Sequence, residues 1–132
     1  MSCLRIVSLV MLLLASATGC QQPSSKTQGE IVSSSENAQL SGKVIVTRDD
    51  AGATVSRVYR VYLINMARGT SQLLMLADKT DGVTATWTAS GIEILMPCGR
   101  IFEFTNFGDL LDKSGNLKAR VEVVLPRTPL CK

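Results

Sequence analysis

The chain has 132 residues, 45% of them hydrophobic, and a formal charge of +3. That length suits one domain with a leader, and so small a charge gives no electrostatic reason to expect a nucleic-acid partner. Histidine is absent, which excludes imidazole general bases, Ser-His and Cys-His nucleophile pairs and imidazole metal ligands.

The first twenty residues decide the compartment. Arg5 and the amino terminus supply positive charge, Ile6 to Leu14 form an apolar run broken only by Ser8, and Ala15-Ser16-Ala17-Thr18-Gly19 supplies small residues before Cys20, the three parts of an export signal. A run of about ten apolar residues reaches only about 15 Å as a helix, roughly half the hydrocarbon thickness of a bilayer. It is too short for a permanent span. Ala17-Thr18-Gly19-Cys20 resembles the lipobox of bacterial lipoprotein precursors, with Ala17 where Leu is usual. The resemblance implies diacylglycerol and palmitate on Cys20, removal of residues 1–19 and a membrane anchor. Gln21 in place of the Asp that retains enteric lipoproteins at the inner membrane implies an outer-membrane address, facing the periplasm. Ordinary secretory cleavage after Ala15-Ser16-Ala17 is the competing reading. It would leave Cys20, Cys98 and Cys131, an odd number with one thiol on a tail. Lipid on Cys20 leaves Cys98 and Cys131 as an even pair, expected to form a structural disulfide in an oxidising compartment.

Residues 20–39, with Cys20 followed by QQPSSKTQGEIVSSSENAQ, carry too little apolar surface to offset ordering entropy, so they are expected to form a flexible tether. Residues 40–132 are expected to form a single domain. Leu40 to Thr47 is β-branched and roughly alternating. Val55 to Asn65 carries large groups on both faces, as a central strand would. Gln72 to Ala77 is a third apolar run. Between Thr84 and Phe104, a turn at Ser90-Gly91 and another at Pro97-Cys98-Gly99 would put Trp87, Ile92, Ile94, Phe102 and Phe104 on one face. Phe107 to Gly115 reads as loop, and Leu117 to Val123 alternates strictly. Seven short strands without a helical period predict an all-β fold, a small antiparallel β-sandwich. The strand count does not choose between immunoglobulin-like and transthyretin-like topologies.

Candidate sites are few. The register above sets Glu93 opposite Glu103, a pairing able to share a proton or hold a cation; a solvated outer face is the plainer reading. Asp112 to Asn116 opens like a calcium loop, but Leu117 stands where Gly is needed and Val123 where a bidentate Glu is needed. No metal site is therefore expected, nor any cofactor, since no phosphate-cradling glycine loop is present. Leu110 and Leu111 lie in an apparent loop, where they either cover the core or present a partner contact. Arg57 and Arg60 flank Tyr59 in a strand whose Tyr and Arg content suits an interface. These features point to a non-enzymatic envelope lipoprotein that binds another protein, as an accessory of secretion, pilus or envelope machinery. A cell-surface inhibitor or exclusion lipoprotein that blocks an incoming enzyme, phage or plasmid is the alternative.

Overall fold

The computed structural model describes residues 27–50, 52, 56–112 and 115–126. Cys20 and the signal lie outside the described residues, as do Val55, Lys113, Ser114, Cys131 and the side chain of Leu111. Among the described residues nine strands follow in chain order: β1 (Glu30–Asn37), β2 (Gly42–Asp49), β3 (Val58–Asn65), β4 (Thr70–Asp78), β5 (Thr84–Thr88), β6 (Gly91–Leu95), β7 (Arg100–Phe104), β8 (Phe107–Asp112) and β9 (Gly115–Val124). They form a β-sandwich of two sheets, ordered β1-β2-β3-β4-β7 and β5-β6-β9-β8.

The core follows from alternation. In β3, Tyr59, Val61 and Leu63 turn inward and are buried, whereas Val58, Arg60, Tyr62 and Ile64 are half-buried on the outer face. Val44, Val46, Met75 and Ala77 complete that wall, and Ala85, Ile92, Ile94, Met96, Leu110, Ala119 and Val121 of the other sheet face it. Apolar side chains at every second position of most strands supply the area whose removal from water drives the packing. Two glycines admit close approaches. A Cβ on Gly42 would stand 2.8 Å from the Trp87 ring and 3.1 Å from Leu110, so the bare backbone of β2 makes room for both side chains. Gly91, at φ +145°, lies against the Arg120 carbonyl where β6 runs parallel to β9.

The sandwich is thus antiparallel except at β6 and β9. Four further expectations need correction. The tether does not reach Gln39, because Glu30–Asn37 is a strand paired along β2. An edge strand draws on backbone hydrogen bonds more than on apolar side chains, so its Ser-rich composition concealed it. Asn37 then closes the hairpin, its Oδ1 accepting the Gln39 and Leu40 N–H groups at 3.1 and 3.2 Å. The first hairpin of the second sheet turns at Ala89-Ser90, with Thr88 opposite Gly91 and Trp87 opposite Ile92. Phe107–Asp112 is a strand, not a loop. Finally, Pro97-Cys98-Gly99 is no hairpin turn. It carries the chain from one sheet to the other, and β7 pairs with β4. Gly99, at φ +115°, sits so close to the Asp78 and Lys79 carbonyls that this crossing docks on the end of β4. Glu93 therefore faces Thr86 and Glu122, not Glu103, and Arg120 stands 2.6 Å from the Glu122 carboxylate to offset that like-charge pair. Cys98, in the crossing, is disulfide-bonded; the other half of the bond lies outside the described residues. Its Sγ lies 3.6 Å from the Lys79 carbonyl, a packing contact, since a disulfide sulfur has no proton to donate.

Candidate contact surface

The two sheets differ in width, and a site follows from the mismatch. β8, the edge of the four-stranded sheet, packs over β3 and β4. β7 lies one strand further out, beyond that cover, and all five of its residues are exposed. Met75 pairs with Phe104 and Ala77 with Ile101, so Phe104 and Ile101 lie on the inward face. There they are 41% and 36% exposed, while Met75 and Ala77 are fully buried. Phe102 sits where the β4–β7 register shifts by one residue, 54% exposed, and Phe107, at the start of β8, is 46% exposed. The chain has three phenylalanines, and these are all of them. Phenylalanine is among the residues most often buried, so three exposed at this edge, Phe104 on the inward face, Phe102 beside Arg100 on the outer face and Phe107 at the start of β8, mark an edge kept for contact.

The ledge is held in shape by polar groups. Arg100 Nε and an NH2 group donate to the Asp78 carboxylate at 3.1 and 2.9 Å, and the guanidinium carbon lies 4.3 Å from the Phe102 ring centroid, a cation–π contact. Hydrogen bonding from Arg100 holds the Asp78 carboxyl below the usual carboxylate range against the opposing effect of burial, so the pair stays charged at neutral pH. Gln72 reaches from β4 to β8, its Nε2 donating to the Phe107 carbonyl at 3.2 Å and its Oε1 accepting the Asp109 N–H at 2.9 Å. One side-chain amide thus occupies the outer edge of β8 as a neighbouring strand would.

The residues singled out from the sequence are not part of this ledge. Leu110 is 1% exposed and belongs to the core, so of its two expected roles it takes that of covering the core and not that of a partner contact; it points inward because β8 is a strand whose even position faces β3. Arg57 lies before β3 and pairs with Asp50 at 3.3 Å. Arg60 is tied to Asp49 on the outer face of β3, with its side chain 18% exposed, and Tyr59 is on the opposite, buried face. The expected Tyr/Arg face is therefore divided between core and surface. The apolar ledge itself was missed because alternation had assigned Phe102 and Phe104 to a covered face. The available signal was that β7 and β8 together hold every phenylalanine.

At the opposite end of the second sheet, Val32, Arg48, Tyr59, Val83, Leu95 and Pro97 are among the residues lining a largely apolar groove of about 500 Å³. Arg48 is committed there to Glu30 at 3.2 Å and Asp50 at 3.3 Å. Among the described residues no group of three His, Cys, Asp or Glu side chains is placed to hold a metal ion. Comparison with protein-family models, curated proteins and solved structures found no match.

Proposed function

We propose that this chain is a lipid-anchored protein of the outer membrane, facing the periplasm, that binds another envelope protein by contact and performs no chemistry. The supporting observation is the exposure of Ile101, Phe102, Phe104 and Phe107 on and beside the edge strand β7. Exposed aromatic side chains of this kind provide the central anchors of protein interfaces. The lipid on Cys20 would keep that surface at the membrane.

Two experiments test the halves of this reading separately. Replacing Phe102 and Phe107 together by Ser should leave the domain folded at a cost of about 2 kcal/mol, since each residue is about half exposed and the Arg100 contact is lost. The same variant should no longer co-purify the partner from detergent-solubilised envelope; undiminished recovery of the partner would refute the ledge as the binding surface. For the anchor, Cys20→Ala should shift the protein from the membrane to the soluble periplasmic fraction. Unchanged fractionation would show that Cys20 carries no lipid anchor.

A further inference from the structure

The described chain enters the fold beside the apolar groove. Thr47 Oγ1 donates to the Gln28 carbonyl at 2.6 Å, and a Cβ on Gly29 would stand 2.8 Å from the Asp49 carboxylate and 2.9 Å from the Arg48 carbonyl. The segment before β1 is therefore fixed against the end of β2. Pro126, the last of the described residues, lines the groove as well, so both ends of the described chain meet at one end of the sandwich.

That end is also apolar on its outside. Ile31 and Leu125 are 57% and 56% exposed, and Val32, Leu95 and Val124 are exposed beside them. Val32 and Leu95 border the groove, and Leu95 pairs with Val124. Among the described residues Met66 is the one other large apolar side chain exposed to that degree outside the ledge. The charges nearby offset one another, Arg48 with Glu30 and Asp50, and Arg57 with Asp50.

We infer that this end of the sandwich rests in the surface of the membrane that holds Cys20, with Ile31, Val32, Leu95 and Leu125 among the lipid acyl chains. The inference rests on the lipid anchor and specifies how the domain stands on it. Cys20 precedes Thr27 by seven residues, a span of at most about 25 Å, so the bilayer is an apolar phase within reach of this end. From Arg48, β2 runs back six residues to Gly42, about 20 Å along the strand, so the far end stands clear of the lipid. Exposed apolar side chains leave water when they enter the interface. Because the neighbouring ion pairs carry no large net charge, the contact needs no anionic lipid and persists at high salt.

The test uses the full mature, lipidated chain in phosphatidylcholine vesicles with brominated acyl chains, which quench tryptophan at short range. The one tryptophan of the chain, Trp87, packs at Gly42 at the far end and serves as the reference. Leu125→Trp adds a probe at the tether end, Leu95→Trp a second one there, and Phe107→Trp one on the ledge, beside Gln72. In the vesicle-bound chain, the fluorescence added by Leu125→Trp and by Leu95→Trp should be quenched at least about threefold more than that of Trp87, equally at low and high salt. Phe107→Trp should be quenched no more than Trp87. Equally weak quenching of all these probes would overturn the inference, whether water, a second copy or residues 127–132 of the chain itself cover this end. Stronger quenching of Phe107→Trp than of Leu125→Trp would overturn it by turning the ledge to the bilayer. Failure of the anchor is read separately, from a chain that does not float with the vesicles and from unchanged fractionation of Cys20→Ala.

Discussion

Gly91→Ala should unfold the domain or lower its melting temperature by roughly 12 °C or more, the shift for a loss of about 3 kcal/mol in a domain of this size. Two effects combine there. At φ +145° an L-residue is strained, and the new Cβ would overlap the Arg120 carbonyl oxygen, which belongs to the parallel pairing of Gly91 with Arg120 that joins β6 to β9. Backbone meets backbone, so no side chain can rotate away. Gly69→Ala separates the two effects. Gly69 also has a positive φ, +65°, but nothing lies within 4 Å of its added Cβ, so only conformational strain remains, about 1 kcal/mol. Thermal unfolding of the two variants side by side checks the prediction; equal shifts would show that the β6–β9 contact is not as tight as described.

Leu110→Asp should be of comparable severity, at about 4 kcal/mol or more, because an ionised carboxylate would replace a side chain that is 1% exposed. Leu110 sits opposite Leu117 on β9 and reaches across the core toward Gly42 on β2. Any loss of partner binding in this variant would therefore reflect unfolding. Phe107→Asp, three residues away on the same strand but about half exposed, should lower the melting temperature far less. Equal stability of the Leu110 and Phe107 variants in a denaturant titration would contradict the inward orientation of Leu110.

The all-β class and the main core strands were legible because alternation is a direct physical signature. Val58–Asn65 and the strict alternation of Leu117 to Val123 each have one face against the core, and burial imposes period two on the sequence. What could not be read was which strand neighbours which. Ile94 and Phe102 suit a shared hairpin as well as they suit opposite sheets, because alternation specifies a face and not a partner. The choice is made by Gly99 packing on the Asp78 and Lys79 carbonyls, a long-range contact with no local signal. Edge strands were hidden for a related reason: β1 draws on the β2 backbone and needs few apolar side chains. β8 was hidden by Gly108, which reads as a breaker in a short apolar run. In the fold it is buried, and a Cβ there would overlap Leu63, so glycine admits the close approach of β8 to β3. The ledge escaped notice because exposure depends on the relative widths of the two sheets, which no single strand encodes.

Backbone amide hydrogen exchange, compared between the free protein and its complex with the co-purified partner, tests contact at the ledge most directly. Docking there requires slowed exchange in residues 101–109. Exchange around Arg48, Arg57 and Arg60 should be the same in both states. Protection confined to those arginine-bearing segments, with β7 exchanging as fast in the complex as alone, would place the partner elsewhere and contradict the reading of the ledge as the binding surface.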